Sequence, residues 1–385
     1  MRPPRRQKAG YTKNATVWLL TVAFLFWRGG LWHAGAETPT PSDPTDTLLA
    51  GLTDCADVID LRGASLPVSE LGRVYADLLL DRPELFHVAP RLSYGYAEVG
   101  GVRAVTEVYP VYTLTGDDLT AARALYRDTV TGILADMEQD FGDYPRTEAD
   151  TVLWLHDTLA DDYDYDTRPD GESNADAYSF FRDGVGICQA YALAFLALCR
   201  EAGLAAHAVV SGEMDHAWNH VRVDGVWYHV DVTRDDPIPA AGGSPTVTHT
   251  RLLRSDGGME ALGYTAYSCP ADHTCSDTRY EAADGSASLG ALGGALAFRG
   301  GKWLGMDENG GILAVKMQEN GVFTGQVGDT DLNGVIDPAD LLAVYDPALP
   351  EEWREWMRER LVGVIHSAQA HGRGGSCPSR TRRIP

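Results

Sequence analysis

The sequence is short of basic residues, and after residue 36 it has no apolar run long enough to cross a membrane. It contains 32 Lys and Arg against 55 Asp and Glu, which gives a net charge of −23 at pH 7. Such an acidic chain repels nucleic acid and anionic surfaces, and it favours solubility and calcium uptake. The composition therefore argues against a nucleic-acid partner and against a membrane span in the mature chain.

Six of the few basic residues lie in the first 36 positions, which have the layout of a secretory signal peptide. An apolar run over 17–27 follows the basic start, and Ala34-Gly35-Ala36 provides a small-residue cleavage site. The run is too short for a comfortable membrane anchor, and the first cysteine, Cys55, is too distant for lipid attachment at the cleavage site. We expect a secreted, extracellular protein whose net charge becomes −29 after removal of residues 1–36.

Three short blocks carry the chemistry of the chain. Cys188 follows Gly184 and Gly186 and begins a helix-like run, so the thiol lies at a helix N-terminus, where the macrodipole favours a thiolate. His216 and Asp231 come later in that order, and an imidazole oriented by a carboxylate can manage the protons of a thiol nucleophile. This pattern predicts a Cys–His–Asp arrangement for nucleophilic catalysis.

A predicted β-hairpin brings the second and third blocks together. Residues 216–223 and 226–233 have strand patterns, and Asp224-Gly225 between them is a strong two-residue turn signal. With that turn, Trp218 opposes Asp231, and His216 lies diagonally across from Asp231 on the same face. His220 and His229 share this face, and we interpret them as packing or pocket-lining residues.

The sequence Gly-x-Cys-x-x-Tyr-Ala-x-x-Phe, then His-Ala-Trp-Asn-x-Val, then Trp-Tyr-His-Val-Asp-Val-Thr-x-Asp-Asp-Pro resembles the bacterial transglutaminase-like (papain-like) superfamily over residues 150–237. The resemblance implies a Cys188–His216–Asp231 triad in an α+β fold whose nucleophile helix packs on an antiparallel sheet. Arg234 stands where similar sequences often have Trp, which affects the expected shape of the pocket.

The remaining composition divides the chain into segments. The predicted organisation is a signal peptide (1–36), a linker (37–46), an N-terminal α+β segment (47–145), the catalytic domain (146–285), a small β module (286–326), a calcium-binding segment (327–368) and a disordered tail (369–385). Cys269 and Cys275 are candidates for a small disulfide loop, which export permits. A zinc site that uses Cys269, His273 and Cys275 is the alternative, but three ligands in seven residues lack the usual paired spacing.

A second motif starts at Gly328. Counting Asp329 as position 1 of a calcium loop places Asp331 at 3, Asn333 at 5, the Val335 carbonyl at 7 and Asp340 at 12. The spacing resembles a dockerin repeat more than a calmodulin-type hand, because position 12 is Asp and not Glu. Dockerins generally carry two repeats, and only one is present here, so calcium binding is better supported than docking to a cohesin-type scaffold.

Together these features predict a secreted cysteine-dependent acyl-transfer enzyme that acts on a peptide, protein or cell-wall peptide. Peptidase or amidase activity is favoured over protein cross-linking by resemblance alone, and no cofactor is expected for catalysis. The alternative is a non-catalytic assembly protein that binds peptide or cell wall and is docked through its calcium-binding segment.

Overall fold

The computed structural model describes residues 43–99, 101–166, 174–236, 247–281 apart from 270 and 272, and parts of 289–340. The predicted signal peptide, most of the linker, the residues after 340 and the predicted tail lie outside the described residues. Among the helices that are described, none is both long and apolar enough to span a membrane.

The described chain alternates helices and antiparallel hairpins. The helices are α1 Pro44–Thr53, α2 Val68–Asp81, α3 Gly116–Phe141, α4 Glu148–Asp162, α5 Ala177–Asp183, α6 Cys188–Glu201, α7 Val232–Asp235 and α8 Asp256–Ala261. The strands are β1 Ile59–Asp60, β2 Val88–Val99, β3 Val102–Tyr112, β4 Asp164–Tyr165, β5 Val185–Gly186, β6 Ala206–Ser211, β7 His216–Val223, β8 Val226–Val230, β9 Gly293–Arg299, β10 Lys302–Met306, β11 Ile312–Gln318 and β12 Gly321–Thr324.

These elements form three antiparallel sheets and one short parallel pair. The strand orders are β1-β3-β2, β6-β7-β8 and β12-β11-β10-β9, and β4 pairs with β5 in parallel. Antiparallel sheets interleaved with helices are the mark of an α+β protein, so the predicted fold class is confirmed.

The N-terminal part has its own small core. Helices α1 and α2 pack against the β1-β3-β2 sheet, and their apolar side chains form one buried cluster that includes Leu48, Leu71, Leu78 and Val108. Residue Gly101 has φ +84° at the turn between β2 and β3, where the sequence predicts a turn on two glycines.

The central core surrounds α6. Ten consecutive residues of this helix, from Ala190 to Cys199, are buried, which is the pattern of a helix covered on all sides. It contacts β6 and β7 on the three-stranded sheet, as well as α3, α4 and α5. Cys199 lies in this core, as its spacing from Cys188 predicts. The nucleophile helix is therefore held rigidly against the sheet that carries the histidine.

The four-stranded sheet packs onto the same central core through α4. Asp150 forms an N-terminal capping box of α4 with Thr147, and its second oxygen accepts a hydrogen bond from Trp303 Nε1 at 2.7 Å. The Phe298 and Trp303 rings from the sheet also pack against Phe141 at the end of α3, Phe298 tilted and Trp303 edge to face. One buried carboxylate thus ties a helix start to a sheet about 150 residues later in the chain.

Candidate active site

Two glycines determine how Cys188 is presented. Gly184 ends α5 in the left-handed conformation with φ +73°, which glycine adopts at little cost. Gly186 has no room for a side chain, because an added Cβ would lie 2.6 Å from Phe180 Cδ2 and 2.7 Å from Ala190 Cβ. The chain then turns directly into α6, whose first residue is Cys188, a partly exposed thiol.

The hairpin that carries His216 has the predicted register. Asp224 and Gly225 have φ values of +49° and +83°, as a two-residue type I′ turn requires. Val223 pairs with Val226, and His220 pairs with His229. The sequence-based prediction of this pairing is confirmed.

The second strand ends earlier than predicted. Strand β8 stops at Val230 and not at residue 233, and Asp231 becomes the N-cap of the short helix α7. Its Oδ1 accepts a hydrogen bond from the backbone N–H of Arg234 at 3.1 Å. Aspartate is a favoured N-cap residue because its carboxylate satisfies an unpaired N–H at the start of a helix, and this preference ends the strand. The cap also fixes the carboxylate in one orientation.

The three predicted catalytic side chains lie next to one another. His216 Nε2 lies 2.6 Å from Asp231 Oδ2, and the Cys188 thiol is close enough to the same imidazole to help raise its pKa. Since Nε2 is held by the carboxylate, Nδ1 is the nitrogen available to the thiol. The imidazole is therefore held by a carboxylate and is close to a thiol, which is an arrangement suited to moving a proton to and from sulfur.

Electrostatics favour a protonated imidazole at this position. Burial by itself lowers the pKa of His216, but the negative charge and hydrogen bond of Asp231, together with the nearby Cys188 thiol, raise the pKa to about 9. Burial raises the pKa of Asp231, but the His216 charge outweighs it and holds that pKa below its usual value. The geometry thus supports an imidazolium paired with carboxylate at neutral pH.

Two aromatic residues complete the site. The Tyr264 hydroxyl donates a hydrogen bond to Asp231 Oδ2, and the Trp218 ring stacks on His216 with centroids 5.6 Å apart and planes inclined by 21°. The Arg234 guanidinium lies over the Tyr264 ring, 4.6 Å from its centroid. Trp218 could be inferred from its alternation with His216 on one strand, whereas Tyr264 lies in a segment with no sequence signal for a site.

Hydrogen bonds across the core keep the nucleophile and the base in fixed relative positions. Asn219 Nδ2 donates to the Ala192 carbonyl of α6 at 2.9 Å, which joins β7 to the nucleophile helix. The Tyr191 hydroxyl on the same helix donates to Asp236 Oδ2 at 2.7 Å, just after α7. Both hydrogen bonds are buried. Side chains held on helices and strands by such bonds are positioned more precisely than side chains on loops.

Residues 136–232 match the family model described as the Transglutaminase-like superfamily. This stretch is similar to transglutaminase-like domains. The matched stretch is about a quarter of the chain and contains all three residues of the candidate triad. At the level of the superfamily, the match supports a cysteine-dependent enzyme. Comparison with curated proteins finds no match.

Solved structures share parts of the fold. A structure described as a TGase has 13% identity and a TM-score of 0.26, with 54% of this chain and 53% of the other covered. A candidate cysteine protease from Cytophaga hutchinsonii has 16% identity, coverages of 47% and 72% and a TM-score of 0.23. A candidate protease from Parabacteroides distasonis has 12% identity, coverages of 36% and 35% and a TM-score of 0.22. The chain spans about half the length of the TGase, and TM-scores this low carry no functional inference.

Part of the predicted calcium loop is described. Carboxylate oxygens of Asp329, Asp331 and Asp340 lie within 4.8 Å of one another. The Asn333 backbone N–H donates to Asp329 Oδ1 and to Asp331 Oδ1, both at 3.1 Å. Val335, predicted to contribute its carbonyl, lies outside the described residues. The three carboxylates form an oxygen-rich group of the kind that a hard divalent cation prefers.

Proposed function

We propose that this protein is a secreted cysteine hydrolase of amide or peptide bonds, with Cys188 as nucleophile, His216 as general acid and base, and Asp231 as orienting carboxylate. The observation that carries the proposal is the 2.6 Å bond between His216 Nε2 and Asp231 Oδ2, with the Cys188 thiol close to the same imidazole. The superfamily match over 136–232 supports the same chemistry at a coarser level.

The chemistry follows from this arrangement. The Cys188 thiolate attacks the carbonyl carbon of the substrate, and the electron pair of the carbonyl moves onto oxygen. The first N–H groups of α6 have no partner within the helix, so they are suited to stabilise that oxyanion. His216 then donates its proton to the departing amine, and a thioester remains. His216 next removes a proton from water, the resulting hydroxide attacks the thioester, and cleavage of the C–S bond releases a carboxylic acid and restores the Cys188 thiolate beside the protonated imidazole.

The same thioester could be transferred to a lysine amine, which would make the protein a cross-linker. Hydrolysis is the reaction we propose, with a peptide, a protein or a cell-wall peptide as substrate. The acidic charge of the mature chain favours substrates that are neutral or basic.

The test compares wild type with Cys188→Ala on three substrate classes: peptides, paired glutamine and lysine donors, and cell-wall peptides. Cys199→Ala is the control, since that thiol is buried in the core of the same helix. We expect hydrolysis by wild type and by the control, and none by Cys188→Ala. Activity that survives in Cys188→Ala would exclude the triad, and amine incorporation faster than hydrolysis would make the enzyme a transamidase.

We also propose that the segment from Asp329 to Asp340 binds a structural calcium ion. The support is the loop spacing together with the group of three carboxylates. In the full-length protein, calcium at about 100 times its dissociation constant should stabilise the fold by roughly 2.7 kcal/mol, and EDTA should reverse this. Asp331→Asn, at an exposed position, should lose the calcium-dependent rise in melting temperature. An identical rise in the variant would contradict the assignment.

A further inference from the structure

Six side chains that can ligate a metal lie together outside the candidate active site. Ligand atoms of His220, His229, Asp256 and Cys275 lie within 4.8 Å of one another, and so do those of His220, Cys269 and His273. His220 belongs to both groups. A metal ligand needs a lone pair that no hydrogen bond already uses.

His229 has no lone pair available to a metal. Trp218 Nε1–H can only donate, and it lies 2.9 Å from His229 Nδ1, so that nitrogen carries the lone pair. The proton of the neutral ring is then on Nε2, which donates to Asp256 Oδ1 at 2.9 Å. Both nitrogens of His229 are therefore used in hydrogen bonds, and metal ligation would require breaking one of them.

His220 does offer one. Its Nε2 lies 3.1 Å from the accepting Nδ1 of His229, so Nε2 carries the proton and Nδ1 carries the lone pair. Only 1% of His220 is exposed, and its Nδ1 has no hydrogen-bond partner within the described part of the chain. In a metal-ligating histidine, one ring nitrogen usually donates a hydrogen bond, and the other holds the lone pair that binds the metal.

Three further candidate ligands lie close to His220. The Cys269 sulfur and a ring nitrogen of His273 lie within 4.8 Å of each other and of His220. Cys275 is fully buried, and its sulfur also lies within 4.8 Å of a ring nitrogen of His220. The Trp227 ring stacks on His273 with centroids 3.5 Å apart, which fixes the orientation of that imidazole. Two thiols and two imidazoles are the ligand set of many structural zinc sites.

We propose that His220, Cys269 and His273 bind a structural Zn²⁺ ion, and that Cys275, whose sulfur lies close to His220 but in the separate group with His229 and Asp256, moves in to complete the ligand set. The spacing of Cys269, His273 and Cys275 alone argues against zinc, but the fourth ligand comes from strand β7, 49 residues before Cys269. The small disulfide loop predicted from the sequence is not formed: Cys275 is a thiol, and each of the two sulfurs lies near His220 instead. His229 and Asp256 act as positioning residues, since they fix the tautomer of His220.

Zinc binding would clip the 269–275 segment to the three-stranded sheet at a fixed register. It would convert the two thiols to thiolates and release their protons on binding. None of the three residues proposed for acyl transfer is a ligand, so the zinc site and the hydrolase proposal stand or fall separately.

The test uses the full-length protein without its leader, kept reduced, loaded with Zn²⁺ and dialysed. We expect one zinc per chain by mass spectrometry of metals, and visible absorption bands of tetrahedral thiolate coordination after loading with Co²⁺. Cys269→Ser and His273→Gln, both at partly exposed positions, should lose the metal and the bands. Cys55→Ser, a matched cysteine in the N-terminal segment, should keep both.

Asp256→Asn provides a second readout, because Asp256 holds His229, which in turn orients His220. Loss of a residue that orients a metal ligand typically weakens metal binding by about 10- to 100-fold. Wild-type protein that retains no zinc after dialysis would overturn the proposal. So would full zinc content in Cys269→Ser, or thiols at 269 and 275 that become reactive only after a disulfide is reduced.

Discussion

Replacing Asp231 with Asn tests how the candidate site holds its proton. Asn has the same size, and its carbonyl oxygen in the Oδ1 position can still accept from the Arg234 N–H, while its NH2 group in the Oδ2 position can donate to the Tyr264 hydroxyl oxygen, so the fold is expected to persist. What the substitution removes is a fully buried negative charge 2.6 Å from His216 Nε2.

The structure gives a magnitude for this change. A pKa of about 9 in place of the ordinary 6.5 means that the wild-type site stabilises protonated His216 by roughly 3 kcal/mol. Without the carboxylate, burial dominates and lowers the pKa of His216 below 6.5. At neutral pH the ring then becomes neutral and no longer pairs with a thiolate. By comparison with other triads, turnover should fall roughly 10²- to 10⁴-fold.

The assay is the rate at which iodoacetamide alkylates Cys188 as a function of pH, followed by peptide mapping. In wild type the imidazolium persists until the pH rises through about 9, so labelling at pH 6 should exceed that of a model thiol. In Asp231→Asn this excess should disappear. The control is Asp81→Asn, which removes a carboxylate 3.1 Å from Nδ1 of another histidine, His207, away from the site.

Two results would refute this reasoning. One is alkylation of Asp231→Asn at the wild-type rate at pH 6. The other is a His216 ring signal, followed by NMR, that still titrates near pH 9 in the variant. Loss of labelling in Asp81→Asn as well would point to general destabilisation and not to the triad.

Four further predictions concern the surroundings of the site. Asp157→Asn should cost about 3–5 kcal/mol of unfolding free energy, because Asp157 lies buried within 2.9 Å of both His156 and His249; urea denaturation measures this. Burial lowers the pKa of His156, but its carboxylate partners raise it to about 9, so its contribution to stability is complete below pH 6.5 and is lost as the pH rises through about 9. Gly186→Ala should lower stability by about 1–3 kcal/mol through overpacking, and an unchanged melting temperature would contradict this. Tyr264→Phe should cost about 1.5–3 kcal/mol and slow turnover without a change in fold, as judged by circular dichroism.

The local sequence was sufficient to predict the residues of the candidate triad and the way the hairpin pairs. Asp224-Gly225 specifies a two-residue turn, and the turn specifies the register, because side chains alternate with a period of two along a strand. The two glycines before Cys188 likewise reflect local geometry, one with φ +73° and one with no space for a Cβ. The α+β class follows from the alternation of helix and strand patterns.

Tertiary structure decided what those residues touch. Tyr264 reaches Asp231 from 33 residues away, and no spacing rule predicts such a contact. The end of β8 at Val230 was missed because the strand pattern continues to residue 233, while the capping preference of Asp231 wins once its carboxylate is buried.

The cluster around His220 shows the same division most clearly. The sequence alone determined that Cys269, His273 and Cys275 lie close together in the chain, and it offered no fourth ligand. Only the folded sheet places His220 beside them. The His220 Nε2 hydrogen bond to His229, whose own tautomer is fixed by Trp218, leaves the lone pair of His220 on Nδ1. A tautomer depends on the partners of both ring nitrogens, and those partners come from different parts of the chain.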